Sequence, residues 1–496
     1  MRFPKSYYNH ISLVGTIIAG ISILLIILSF ILSFIFNAGS SYLGLFSYIL
    51  LPGIMLLGLI LIPIGMLFST RKARKNNIEQ YKKWIVIDFN DPRYRNAASV
   101  FFIGTVVLML LSAVGSYEAY HYTESVEFCG KVCHKVMKPE YVTYTNSSHA
   151  RVACVECHVG QGADWYVKSK LSGLYQVYAV ATNNYPKPIP TPISSLRPAK
   201  ETCEECHWPQ KFYTPRLHTE KHYLSDSLNT EWMIQLQMKT NSQHSSNNLA
   251  EGIHWHINPN VKIEYIAADE TRESIPWVRY INLKTNDTTL YEDTWGPLDP
   301  EDIKTATIRT MDCMDCHNRP SHNYHLPSDF VDYAISSGDI PKLPQIKYIA
   351  MEVLKDPYPT TDTALMVIKN TIQHFYEENY SELQPEAITQ AIEGISNGYL
   401  NNIFPEMGAN WDVYPDHIGH VEFNGCFRCH NDTHESLAGN KITKDCNACH
   451  SILMQGTPGQ LESASINEPL EFHHPIDIGT DWKDYLCTDC HRYLYP

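Results

Sequence analysis

No cysteine in this chain stands alone, and no cysteine pair is followed by a lysine in place of a histidine. Long polar tracts of low complexity are absent and aromatics make up 11% of the 496 residues, which excludes a disordered chain. Charged residues are scarce at 19%, and basic ones are the minority: 39 Lys and Arg against 53 Asp and Glu leave a net charge of −14. A chain so short of positive charge lacks the basic face that a nucleic-acid partner needs. The length corresponds to about three domains. What the chain does have is a concentration of apolar residues at one end, together with 14 cysteines and 23 histidines.

Ile11 to Phe36 contains no charged residue, a second apolar run covers about Leu43 to Phe68, and a third covers Ala97 to Ser116. Each can cross a hydrocarbon core of about 30 Å as a helix. The alternative for the first run is a cleaved signal peptide, whose apolar region would be only about 7–15 residues long. A second span follows too closely for that. The connection 69–96 carries Arg71, Lys72, Arg74, Lys75, Lys82, Lys83, Arg93 and Arg95 against Glu79, Asp88 and Asp91. Basic loops stay on the cytoplasmic side, and Arg2 and Lys5 put the N-terminus there as well. Residues 1–116 thus form an anchor of net +7, and residues 117–496 carry −21 and are expected outside the cytoplasmic membrane, in the periplasm.

All fourteen cysteines fall into seven pairs, each followed by histidine. Six are CxxCH: Cys154/Cys157/His158, Cys203/Cys206/His207, Cys313/Cys316/His317, Cys426/Cys429/His430, Cys446/Cys449/His450 and Cys487/Cys490/His491. The seventh, Cys129/Cys133/His134, has one extra residue in its loop. This spacing suits c-type haem, in which two thiols bond to the porphyrin and the adjacent imidazole is aimed at iron. Disulfides need no following histidine, and zinc sites place theirs at varied offsets. Seven such successions by chance have a probability on the order of 10⁻⁹. The expectation is seven covalently bound haems.

An electron-transfer haem fills both axial positions, whereas a catalytic one leaves one open. Candidates for the second ligand are His149, His218, His222, His254, His256, His322, His417, His420, His434 and His474, the last within His473-His474-Pro475. His149, His322 and His434 stand nearest to a motif. Met137, just after the first motif, is either a thioether ligand or an apolar contact. His10 precedes the first span, and His244 lies in a polar loop, so neither is expected to bind iron.

An N-terminal anchor, a first haem motif close to the membrane with a methionine after it, and Arg151-Val-Ala-Cys-Val-Glu-Cys-His-Val159 together resemble the NapC/NirT/NrfH family of membrane-anchored quinol dehydrogenases. The likeness runs from Val126 to about Val180 and through Cys313-Met-Asp-Cys-His-Asn-Arg-Pro-Ser-His322. The remainder, with Tyr414-Pro-Asp-His-Ile-Gly-His420, is similar to seven-haem inner-membrane members. The resemblance implies menaquinol as substrate, oxidised beside the first haem by a lysine and an acid on the helix after the second motif. Aligned on Gly173, those two positions hold Ser169, flanked by Lys168 and Lys170, and Gln176, so Asp164 or Glu124 becomes the candidate acid. A menaquinol site needs a base and a donor to the quinone oxygen. The alternative role for these lysines is contact with lipid headgroups. The chain also departs from the family in its three spans, where one is usual, and in its lengthened first motif.

Residues 117–207 read as a membrane-proximal domain with three haem motifs. Alternating segments at Val261–Ile266 and Ile275–Leu283 make 208–310 a β-rich insertion. Helical spacing at Pro344–Asp356, Thr361–Tyr380 and Pro385–Ile403 makes 311–410 a helical link around the fourth motif, and 411–496 holds the last three. The expected fold is therefore three N-terminal transmembrane helices plus a mainly α and irregular multihaem domain with a small antiparallel β insertion. The expected function is menaquinol oxidation with relay to a periplasmic or outer-membrane cytochrome, by a single chain, a homo-oligomer or part of a larger complex. The other readings are an oxyanion reductase with one open haem, or a relay subunit.

Overall fold

The computed structural model describes residues 5–36, 50–75, 89–132, 135–160, 162–191, 197–208, 214–240 and 252–494. They belong to two compact units, Met1–Met137 and Lys138–Pro496.

The first unit holds three long helices, α1 (His10–Phe36), α2 (Leu51–Lys75) and α3 (Pro92–Thr123). By length and composition, His10–Ser29, Leu51–Ala73 and Phe102–Thr123 can each cross a membrane. Two boundaries differ from the sequence expectation. α2 runs on through Arg71 and Lys72 to Lys75 rather than stopping at Phe68. Basic side chains suit the negative end of a helix dipole, and their stems can lie along apolar surface. α3 starts at Pro92, where a missing N–H costs nothing, and passes Ser116 to reach Thr123. The connection is therefore shorter than 69–96, and its residues 76–88 lie outside the described residues, as does the expected start of the second span at 43–49.

α1 and α2 pack as a hairpin through small residues. A Cβ at Gly15 would sit 2.6 Å from the Gly58 carbonyl, and one at Gly65 would sit 2.6 Å from the Ser12 nitrogen. Ser12 Oγ donates to the Ile62 carbonyl at 2.8 Å. Past α3, a π-helical turn, Phe128–Val132, carries Cys129. Such a turn is wider than an α turn, which suits a motif with one residue to spare.

In the second unit, α4 (Lys138–Thr145) and α5 (Ala163–Ala181) flank the second motif. The apolar core lies in α6 (Pro327–Ser337), α7 (Ile346–Leu354), α8 (Thr361–Asn379) and α9 (Pro385–Asn402). Ile368, Ile372 and Tyr376 follow one another at i, i+4 on α8 and are fully buried, facing Ile395 and Tyr399 of α9. Thr360 Oγ1 accepts from the Thr363 N–H to start α8, Pro385 opens α9, and Gly338, at φ +85°, ends α6 in the left-handed conformation glycine favours. Lys347 Nζ donates to Asp332 at 2.6 Å and to the Ser328 carbonyl at 2.8 Å, so this buried charge is paired and hydrogen-bonded.

Two antiparallel sheets complete the unit. Strands β1 (Arg216–Tyr223), β2 (Glu231–Met238), β3 (Val261–Ile266), β4 (Trp277–Asn282), β5 (Thr288–Asp293) and β6 (Arg309–Thr310) come from the expected β segment. Both sheets are completed from the C-terminal part by β7 (His434–Ser436), β8 (His450–Thr457) and β9 (Gln460–Ser463), in the orders β1-β2-β8-β9 and β6-β3-β4-β5-β7. Met238 stands opposite His450, and Asp293 opposite His434. The β segment is thus woven into the haem-motif region rather than closed on itself.

Ile368→Ala, which opens a cavity in the α6–α9 core, is expected to destabilise the protein by about 2–5 kcal/mol. A lowered thermal unfolding midpoint with unchanged haem spectra is the measurement that checks it.

Candidate haem sites

The third, fourth and fifth motifs each close as a tight turn. The histidine N–H bonds back to the carbonyl of the first cysteine, at 2.8 Å for His207 to Cys203, 2.8 Å for His317 to Cys313 and 3.0 Å for His430 to Cys426. Residues three and four apart on such a turn share a side, so both thiols and the imidazole converge on one body. The described motif cysteines are thiols, not disulfides.

Opposite each of the six described motif histidines stands a second histidine ring. The ring centres lie 6.3 Å apart for His158 and His322, 6.1 Å for His207 and His149, and 6.3 Å for His317 and His254. They lie 5.9 Å apart for His430 and His256, 6.1 Å for His450 and His420, and 6.0 Å for His491 and His474. One iron held by two imidazole nitrogens at about 2 Å each requires ring centres about 6 Å apart. The spacing therefore fits haem at all six places.

The hydrogen bonds of four facing rings agree. Nδ1 of His149, His254, His256 and His322 lies 2.9, 2.6, 2.7 and 3.0 Å from the carbonyls of Pro320, Thr240, Ile253 and Glu140. A carbonyl can only accept, so Nδ1 carries the proton and Nε2 keeps its lone pair for a metal. Burial lowers the pKa of His322 and His450 to about 4 and also lowers those of His256, His420 and His430, which keeps these rings in the neutral form that ligates.

The remaining candidates are not brought opposite a described motif histidine. Both ring nitrogens of His434 are engaged, Nδ1 by Asn431 at 2.9 Å and Nε2 by the Ile275 carbonyl at 2.7 Å. His417 Nδ1 meets the Asp315 carbonyl at 3.2 Å and Arg428 at 3.1 Å, and its Nε2 lies 3.4 Å from Glu273. Burial opposes protonation of His222, but the Asp332 carboxylate outweighs it and raises its pKa, which favours the non-ligating cation. His218 is exposed on β1 against Glu220. Cys133 and His134 lie outside the described residues, so the pairing expected for Met137 lies there too.

Buried arginines were not anticipated. Nε and Nη1 of Arg197, Nε of Arg272 and Nε of Arg319 are buried without a protein acceptor. Haem propionates are carboxylates, and unfilled guanidinium donors beside the motifs suit them. The signal available in the sequence was Arg319 itself, two residues after His317.

Consecutive motifs are also neighbours. The Cys203 and Cys313 thiols hydrogen-bond to one another. Burial first, then nearby charges that include Cys206, raise the pKa of Cys157. Burial pushes Cys316 up to about 12 with Cys426 adding, Cys426 up to about 11 with Cys449 adding, and Cys487 up to about 11 with Cys446 adding. Each of these influences runs between a motif and the next one in the chain.

The residues expected at a quinol site sit on α5, apart from Glu124, which belongs to the first unit. Lys168 Nζ lies 4.8 Å from the centre of the Trp165 ring, and Lys170 Nζ lies 5.0 Å from that of Tyr166. Two positions along a helix turn about 200°, so the two lysines point to opposite sides. Asp164 shares the Lys168 side by position, and Gln176 is exposed two turns further on. Val167, Leu171, Leu174, Tyr175 and Tyr178 are all exposed on this helix, an apolar surface suited to a membrane interface.

Paired histidines over cysteine turns, on a chain with long apolar helices, define a membrane-anchored multihaem c-type cytochrome. The chain belongs to the NapC/NirT cytochrome c family. It is 42% identical over 489 residues to cytochrome c-type protein ImcH of Geobacter sulfurreducens, covering 98% of this chain and 95% of that protein. The model of the NapC/NirT cytochrome c family, N-terminal region, matches residues 92–188. Cytochrome c-type protein NrfH of Wolinella succinogenes is 35% identical over 78 residues, 15% of this chain and 44% of that protein. No solved structure matches the chain.

In the haem-loaded protein, His256→Ala is expected to convert one ferric haem from low-spin to high-spin, whereas His434→Ala leaves the low-spin set intact. Electron paramagnetic resonance of the oxidised protein distinguishes the two.

Proposed function

We propose that this protein oxidises menaquinol at the outer face of the cytoplasmic membrane and relays the electrons through seven c-type haems to a periplasmic or outer-membrane redox partner. The observation that carries the reading is the set of six facing histidine pairs. An iron ligated on both faces exchanges electrons without binding substrate, so closed pairs favour a relay over an oxyanion reductase with an open haem. Haem bound at these sites supplies one-electron exchange between ferric and ferrous iron. The chain's own residues do the rest.

The motif and facing histidines would hold the haem iron, and backbone carbonyls on Nδ1 of His149, His254, His256, His322 and His430 keep those rings in the ligating tautomer. Arg319, in no ion pair among the described residues, would balance propionate charge, whereas Arg197 and Arg272 already pair with Glu201 and Asp315 and offer only their remaining N–H donors. At the quinol end, two protons and two electrons must leave together, so a base has to stand where quinol docks. We assign the hydrogen bond to the quinol oxygen to Lys168 and the proton-accepting role to Asp164, which shares its side of α5 by position. Lys170, on the opposite side, meets lipid headgroups instead. Orientation rests on the basic residues at the α2 end and in the following connection, which favour the cytoplasm, and on the acidic remainder.

Menaquinol analogue added to the haem-loaded protein in nanodiscs is expected to reduce the haems, as read from their absorbance. Lys168→Ala should slow that reduction by about 10²–10⁴-fold, with Lys170→Ala near the unaltered rate and dithionite reducing all three equally. An unaltered protein that stays oxidised with quinol but reduces with dithionite would sink the proposal.

A further inference from the structure

The series of neighbouring motifs ends at Cys487-Thr-Asp-Cys490-His491, on the last helix, α10 (Cys487–Leu494). The surface there differs from that of most other motifs. Cys490 is exposed, whereas the cysteines of the second, fourth, fifth and sixth motifs are at least half-buried. Ile476, two residues after the facing His474, and Tyr485, two residues before Cys487, are each 59% exposed. Around them Asp477, Asp481, Asp484 and Asp489 are exposed, and none is in an ion pair among the described residues. Of the nearby cations, Lys483 pairs with Glu471 and Arg492 with Glu273, while Lys444 Nζ donates to the Lys483 carbonyl at 2.5 Å and is one positive charge against these four aspartates. Exposed apolar side chains and a net excess of exposed aspartates thus occur together along 476–489, at the end of the series.

We propose that this surface is the electron exit, and that it docks a small redox protein with a lysine-rich face around its own exposed cofactor edge. The inference rests on the relay reading above and names the partner's chemistry. The aspartates are as exposed as the apolar residues they neighbour in the chain. They can therefore steer a cationic carrier through water while Ile476 and Tyr485 form the dry contact. In the encounter the carrier gains one electron and this protein loses one, with no bond made or broken. Among the described motifs the third is the other exposed place, with Cys206, Glu205 and Trp208 at the surface. It lies within the series, with a neighbouring motif on either side, and so serves as the comparison.

The test uses the haem-loaded full chain and mitochondrial cytochrome c, a lysine-rich carrier, as the probe. Carbodiimide cross-linking followed by peptide mapping is expected to join carrier lysines to Asp477, Asp481 and Asp484. Transfer from the dithionite-reduced, desalted protein should slow about tenfold at low ionic strength in the Asp477→Lys/Asp481→Lys/Asp484→Lys variant. The difference should vanish in high salt. The matching Asp→Asn variant, which keeps side-chain size, should slow transfer by a smaller factor. Cross-links centred on Glu201 and Glu205, or a charge-reversed variant that transfers at the unaltered rate, would overturn the assignment. Menaquinol-driven haem reduction in the same variants reports separately on the relay reading, since the exit lies beyond that step.

Discussion

Two imidazoles that share one iron must approach it from opposite faces, and the rest of this molecule is arranged around that requirement. A histidine a few residues from a motif lies on the same side of the macrocycle as the motif and cannot reach round it. Most facing rings therefore come from a distant segment, while His474 comes from the stretch directly ahead of the motif it faces. His149, just before the second motif, faces His207 of the third, and His322, just after the fourth, faces His158 of the second. A single 3-10 turn, Ile253–Ile257, carries both His254 and His256, which face the fourth and fifth motif histidines. Such crossed pairings tie the chain together where little regular structure would do so.

The sheets answer to the same constraint. β8 begins at His450, a motif histidine, and pairs with β2, while Trp255, between His254 and His256, stacks on Tyr280 of β4 at 5.4 Å. Strand pairing thus holds a motif histidine, and packs the turn between two facing rings against a sheet. The helical core of α6–α9 stands apart from this logic. It is held by ordinary apolar packing and a buried Lys347–Asp332 pair, and it supplies no ring to any of the six pairs.

This division explains what could be read from the chain. Cysteine turns and the helices of 344–403 depend on spacing within a few residues, and they were legible almost to the residue. All six facing histidines were among the candidates too, because a motif haem needs a partner and histidines are countable. Which candidate faces which motif was not legible, because the choice depends on contacts between segments far apart in the chain. His434 and His417 illustrate the difficulty. Each lies close to motifs in sequence, yet the protein's own donors and acceptors engage His434 on both nitrogens and His417 on Nδ1. The buried arginines were missed for a related reason, since an unfilled guanidinium donor is visible only once its surroundings are known.

The membrane end separates along the same line of local against distant contacts. The family match begins at residue 92, where α3 begins, so the α1–α2 hairpin precedes the region the family model describes. Within lipid there is no hydrophobic drive to associate, and close approach through small residues takes its place. Gly15, Gly58, Gly65 and Ser12 spend that capacity on the α1–α2 contact itself. The apolar stretch of α3 has none of its described residues buried. One helix can anchor a haem domain, and α3 is the one continuous with it in the family match. The hairpin, packed on itself through its small residues, lies ahead of that match, yet the likeness to ImcH covers 98% of the chain and so takes it in.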